Sequence, residues 1–135
     1  MTVEAYRRVA PFLTVYGLGP VNLNTAPEPV LAALGFSLSG LNGIVFYRNG
    51  EDNTQGTSDD RQFASMAAMS DELGQTIPAD DLHRLEQLIQ ADLVSVQSGA
   101  FRAVVRASVE SDGRSAARVQ GIADHKGRTL AWAEE

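Results

Sequence analysis

The sequence predicts an α+β fold, with a helical subdomain over residues 1–91 followed by a three-stranded antiparallel β meander over residues 92–135. Three observations predict it. Val21-Asn22-Leu23-Asn24-Thr25-Ala26-Pro27-Glu28-Pro29-Val30-Leu31-Ala32-Ala33-Leu34 carries a helix-start signal followed by an apolar stripe. Residues 49–61 contain no apolar side chain and divide the helical part. From Phe101 the pattern changes to alternation, the period of a strand, with Val104 as the exception.

Residues 3–10 suit a short helix, stopped by Pro11. Phe12-Leu13-Thr14-Val15-Tyr16 is rich in β-formers and predicts an extended segment. Gly17, Gly19 and Pro20 break the chain before the next helix. Thr25 and Glu28 are spaced as a capping box, with Pro27 in the first turn, where a missing N–H costs nothing. Such a start stabilises a helix by about 1–2 kcal/mol. Gly35 is a natural C-terminal stop. Ser37 or Ser39 can cap a second helix through Tyr47, ending at Arg48 or Asn49, with Gly40 and Gly43 weakening it. The two helices form an αα-hairpin.

The stretch Phe63–Leu73 predicts a helix capped by Ser65 and stopped by Gly74, with Met66 and Met69 filling the core. Ile77-Pro78-Ala79 opens another through Ile89, with Leu82, Leu85, Leu88 and Ile89 inward and an Asp80–Arg84 pair on the wet side. Phe101, Ala103, Val105, Ala107 and Val109 define one face of a half-buried strand. Asp112-Gly113 signals a hairpin, Ala117–Ala123 pairs back with Val119 inward, and a turn at Lys126-Gly127 leads to Thr129–Trp132. Leu93–Val96 suits a preceding strand.

Composition narrows the function. Hydrophobic residues make up 44%, so the chain folds. A net charge of −6 argues against a dominant nucleic-acid or anionic-membrane surface. Cysteine is absent, which removes disulfide and thiolate chemistry. No apolar run is long enough to span a bilayer. His83 and His125 have no third group spaced to complete a metal site, and no nucleophile elbow, phosphate loop or dinucleotide fingerprint is present. An enzyme is therefore not expected. The acidic loop offers a candidate calcium site beside its plain reading as a solvated loop. Glu51, Asp52, Asp59 and Asp60 are hard oxygen ligands suited to calcium, although a twelve-residue EF-hand register from Glu51 has Gln62 where a bidentate Glu belongs.

Val21-Asn22-Leu23-Asn24-Thr25-Ala26 with Val30-Leu31 resembles the signature of the K-type minor pseudopilins of type II secretion systems. The preceding Phe12–Gly17, the Phe63-Ala64-Ser65-Met66 helix start, Phe101–Ala107 and the closing Leu130-Ala131-Trp132-Ala133-Glu134 are similar to that family in the same order. The resemblance implies a helix-hairpin-helix (SAM-like) subdomain joined to a pilin-like sheet. It implies a structural protein at the tip of a periplasmic fibre on the bacterial inner membrane, with I- and J-type minor pseudopilins as partners. It further implies a membrane-spanning N-terminal helix and first pilin strands that this sequence lacks, and in some members calcium in the helical domain. The same signature opens helix-hairpin-helix DNA-binding modules of competence receptors, which Val45-Phe46-Tyr47-Arg48 and Phe63-Ala64-Ser65 also resemble. Here the hairpin Gly35-Phe36-Ser37-Leu38-Ser39-Gly40 lacks the compact Gly-x-Gly and precedes an acidic loop, so nucleic acid is not an expected partner.

Overall fold

The structure is a computed structural model that describes residues 2–17, 19–108 and 115–134. It has the α+β architecture, helices first and an antiparallel meander last. The chain divides into two compact units, Met1–Leu13 with Gly19–Gln97, and Thr14–Leu18 with Ser98–Glu135.

In the helical unit, α1 (Val3–Val9) starts at Thr2, whose hydroxyl accepts the Ala5 N–H at 3.2 Å. Pro11 does not stop the chain abruptly. It sits in the first turn of a 3-10 segment, Ala10–Phe12, where its missing N–H goes unneeded. The extended segment expected over Phe12–Tyr16 is absent. Thr14 instead makes a local turn, its hydroxyl accepting the Tyr16 N–H at 3.0 Å, and Val15 is 92% exposed. β-propensity expresses fit to a pleated, half-buried surface, and no strand pairs with this segment among the described residues.

The short strand β1 (Val21–Asn22) runs parallel to β2 (Val94–Ser95), so Val94-Ser95 belongs with the helical unit and not with the meander. Helix α2 (Glu28–Ala33) begins later than the capping box predicts. Its N-cap is Pro27, at φ −72° and ψ 156°, with no side-chain cap. Ala26 precedes Pro27, and the proline ring disfavours the helical region for that residue, so a helix cannot run through it from Thr25. Asn22 takes up the slack, its carbonyl accepting N–H groups from Thr25 at 3.1 Å and Ala26 at 2.8 Å. The stop at Gly35 is as expected, with φ +94° just beyond the Leu34 cap.

Helix α3 (Leu38–Asn49) is capped by Ser37, whose hydroxyl accepts the Gly40 N–H at 3.1 Å. Its glycines mark close approach rather than weakness. A Cβ at Gly43 would lie 2.5 Å from Ile77 Cγ2, and one at Gly40 would strike the Asp81 carboxyl group. Gly43→Ala gains about 1 kcal/mol of helix propensity but overpacks the Ile77 contact by about 1–3 kcal/mol. The expected net result is a loss of roughly 1 kcal/mol, read by denaturant melts of both forms.

Helix α4 (Met66–Leu73) starts at Ser65, which accepts the Ala68 N–H at 3.1 Å. Helix α5 (Ala79–Gln90) points Leu85 and Leu88 fully inward, with Leu82 and Ile89 half-buried beside them. The expected Asp80–Arg84 pair does not form. Arg84 Nε donates to the Leu34 carbonyl at 2.7 Å instead, because an unpaired C-terminal carbonyl of α2 is the better acceptor for a fork of N–H groups. Leu23, Leu31, Ile44, Phe63, Met69 and Leu73 complete the centre of this core.

The second unit is the meander β3 (Ala100–Ser108), β4 (Ser115–Asp124) and β5 (Thr129–Glu134), in that spatial order. The expected Asp112-Gly113 hairpin and Val109 lie outside the described residues. The second turn is built on Asp124, whose carboxylate accepts the Lys126 and Arg128 N–H groups at 2.9 Å each, with Gly127 at φ +77°. The strand β3 is not half-buried. Every residue from Phe101 to Ala107 is exposed, and among the described residues every buried apolar side chain belongs to the helical unit. Alternation assigns residues to faces; it does not supply a layer to cover one.

Candidate functional site

The signature segment folds into a junction of backbone wiring. Val21 N–H donates to the Leu93 carbonyl at 2.9 Å and Leu23 N–H to Ser95 at 2.8 Å. Asn24 continues this ladder with its side chain. Nδ2 donates to the Val96 carbonyl at 3.0 Å and the Phe63 carbonyl at 3.1 Å, while Oδ1 accepts the Phe63 N–H at 2.8 Å. An amide is the one uncharged side-chain group that supplies both polarities at such spacing. Arg48 reaches the same junction from the last turn of α3. It is buried, and its Nη1 donates to the Ala26 carbonyl at 2.7 Å and the Leu23 carbonyl at 3.4 Å. Burial lowers the Arg48 pKa from its ordinary value, while Asp60 and Glu28 oppose that shift.

Beside it, Tyr47 stacks on Phe63 with ring centroids 4.4 Å apart and planes 7° from parallel. The Arg61 guanidinium lies 5.9 Å from the Tyr47 ring centre. Burial first, and the Glu72 carboxylate second, push the phenol up to about 12, with Arg61 opposing them. A folded-state value above the ordinary 10.0 means that the neutral phenol stabilises the fold fully below pH 10 and that this contribution is lost as pH rises towards 12. Tyr47→Phe is expected to flatten the decline of melting temperature across that window. An unchanged alkaline limb would show that Tyr47 is not the group responsible.

The acidic loop spends its carboxylates on itself. Asp59 accepts the Glu51 N–H at 2.7 Å, the Asp52 N–H at 3.2 Å and the Thr57 hydroxyl at 2.7 Å. The Thr57 hydrogen bond, then the Asp52 amide, hold its carboxyl below the usual carboxylate range. Asp52 accepts the Thr54 N–H at 2.8 Å, and Asp60 accepts the Gly56 N–H at 2.7 Å. Glu51 contributes its amide to this arrangement. Gly50, at φ +69°, lets Asp59 approach where any Cβ would collide. Asp52 Oδ1 and Asp59 Oδ1 both lie against the Thr57 hydroxyl, at 3.3 Å and 2.7 Å, while Asp60 turns to Gly56. Among the described residues no group of three or more acidic or histidine side chains is placed to hold a metal ion.

The α2–α3 hairpin tip is closed from within. Asp81, buried in the first turn of α5, accepts the Ser37 N–H at 2.7 Å and the Ser37 hydroxyl at 2.5 Å. It occupies the N-terminal end of α3, where an incoming anion would otherwise meet free amides. His83 and His125 are exposed, His83 lying 3.6 Å from Glu86 and His125 sitting in the Asp124 turn.

Sequence reasoning singled out the four loop carboxylates and missed Asn24, Arg48 and Asp81 as side chains with work to do. The signal for Arg48 was available, since a lone arginine stands one helical turn beyond the apolar Ile44. Asp81 gave none, because an acidic first turn is the ordinary composition of a helix start. Among the described residues no helix is long and apolar enough to cross a membrane. Comparisons with protein-family models, with curated proteins and with solved structures return no match.

Proposed function

We propose that the chain is a structural module of a type II secretion pseudopilus, similar to K-type minor pseudopilins, that caps the fibre tip by binding I- and J-type minor pseudopilins. It acts by surface contact and turns over no substrate. The observation that carries this reading is the meander, whose strand β3 is exposed from Phe101 to Ala107. Phe101, Val105 and Trp132 stand out from it at 55%, 61% and 63% exposure. A three-stranded sheet whose apolar residues stand exposed gains stability when they are buried against other subunits.

The arrangement of the signature supports the same reading. Asn24 spends its side-chain amide on the chain's own backbone, which makes the segment a structural lock. The competence-type DNA-binding alternative needs open amides at the hairpin tip, and Asp81 occupies the Ser37 amide. The helical unit also carries twelve acidic residues against five basic, which repels phosphate.

Co-purification of the membrane-anchored full-length protein with I- and J-type minor pseudopilins tests the assignment. A stable complex that weakens with Phe101→Ser or Trp132→Ser is expected. Absence of any complex in a reconstituted system, or salt-sensitive duplex DNA binding at the hairpin, would overturn it.

A further inference from the structure

We propose that the Asn49-Gly50 bond is a self-modifying site, where the folded chain converts its own asparagine to a cyclic imide and then to aspartate and isoaspartate. The product adds a carboxylate to the acidic loop and loosens that loop from the end of α3. This chemistry belongs to the helical unit and is independent of the assembly reading.

Three observations carry it. First, the Gly50 amide is unpaired. At α1, α2, α4 and α5 the residue after the helix donates its N–H back into the last turn, from Ala10 to Tyr6, Leu34 to Val30, Gly74 to Ser70 and Ala91 to Gln87. At α3 no such bond forms from Gly50 among the described residues, although Gly50 is buried. An orphaned buried N–H is rare and costly.

Second, nothing shields that nitrogen. Gly50 has no side chain and stands at φ +69° and ψ −161°, outside the helical region. The Asn49 side chain must swing toward it. Its one contact among the described residues runs from Nδ2 to the Asn53 carbonyl at 3.5 Å, which is long for a hydrogen bond.

Third, the fold treats the other Asn-Gly pair of the sequence in the opposite way. Asn42-Gly43 lies inside α3, where the Gly43 N–H is directed at the Ser39 carbonyl by the helical ladder. Gly43 is also pressed against Ile77 and Thr76, so its backbone cannot turn without parting α3 from that neighbour.

The step balances without an enzyme, a cofactor or an oxidant. The Gly50 nitrogen attacks Asn49 Cγ, the bond from Cγ to Nδ2 breaks, and ammonia leaves with the proton that Gly50 gives up. The imide nitrogen carries no hydrogen, so ring closure removes the orphaned donor. Water then opens the ring. Attack at the side-chain carbonyl leaves aspartate at position 49. Attack at the main-chain carbonyl leaves isoaspartate, with the backbone running through Cβ. That form inserts a methylene between two anchors, the Arg61 N–H on the Arg48 carbonyl at 2.9 Å and the Glu51 N–H on the Asp59 carboxylate at 2.7 Å. Asp59 packs so closely on Gly50 that even a Cβ there would collide, so the longer backbone displaces the loop. Either product also sets a carboxylate at the negative end of α3.

The test incubates the full chain in mildly alkaline buffer, folded and in denaturant, and follows both asparagines by peptide mapping with mass spectrometry. In denaturant the two pairs are expected to lose ammonia at similar rates. In the folded chain Asn49 is expected to react about fivefold or more faster than Asn42, the protection that one retained helical hydrogen bond supplies. Asn49→Gln, whose longer side chain closes a ring far less readily, is expected to abolish the signal at position 49 and leave Asn42 unchanged. The converted protein is expected to be cut by trypsin after Arg61 faster than Asn49→Gln incubated alongside it. Equal folded-state rates at the two asparagines, or no ammonia loss from Asn49 in the folded chain, would overturn the site. Equal cutting after full conversion would overturn the loosening of the loop. Both readouts are taken without a partner, so neither failure touches the assembly reading.

Discussion

Asn24→Ala is expected to lower the stability of the helical unit by about 3–5 kcal/mol, the largest effect of any single side chain outside the apolar core. Three hydrogen bonds disappear, each worth about 1 kcal/mol net. The Phe63 N–H, the Phe63 carbonyl and the Val96 carbonyl then remain in a part-buried site with no partner of matching shape. For a unit of this size the melting temperature should fall by roughly 15–25 °C. Asn24→Asp tests the polarity of the argument. A carboxylate cannot donate to the two carbonyls and would repel both, so the aspartate form should be at least as damaging as alanine despite its near-identical shape. A loss under about 1 kcal/mol for alanine, or a milder effect for aspartate than for alanine, would show that the junction is held by something else.

Arg48→Met is expected to cost about 2–3 kcal/mol. Methionine retains the length and much of the packing of the arginine stem. What it cannot replace is the donation to the Ala26 carbonyl at 2.7 Å, where the chain turns into α2 without a side-chain cap. Arg48→Lys should recover little, because a compact ammonium is more strongly hydrated than a guanidinium and resists burial. Since Arg48 also reaches the Leu23 carbonyl, one residue before Asn24, the double variant with Asn24→Ala should fall short of the summed single losses. Strict additivity in that cycle would mean that the two side chains support separate regions. Denaturant titrations of the four proteins decide it, with constant m-values confirming a common unfolding reaction.

Much of the fold was legible because it rests on local rules that the chain obeys. Ser37, Ser65, Gly35 and Gly74 lie where helix ends need them, and the leucines of α5 keep helical period. The failures share a physical cause. Thr25 and Glu28 have capping spacing, but Pro27 between them restricts Ala26 and defers the helix, so one local rule overrode another. Arg84 chose a carbonyl fifty positions away over a neighbour on its own helix, and Val94-Ser95 paired with a strand seventy-three positions earlier. No window of sequence contains those partners. The site was harder still. Acidic residues drew attention to the loop because charge is conspicuous, while Asn24 donates to, and Asp81 accepts from, distant backbone that only folding assembles.

The parallel pairing of β1 with β2 has a mechanical consequence. From Gly19 the chain re-enters the helical unit along one strand, and it leaves along the other in the same direction. Tension applied across the unit therefore pulls the two strands past each other lengthwise. The Val21, Leu23 and Asn24 contacts to Leu93, Ser95 and Val96 lie in a row across that line and are loaded together, so they must rupture at once rather than unzip in turn. A module tethered on either side of this strand pair would thus withstand traction along it.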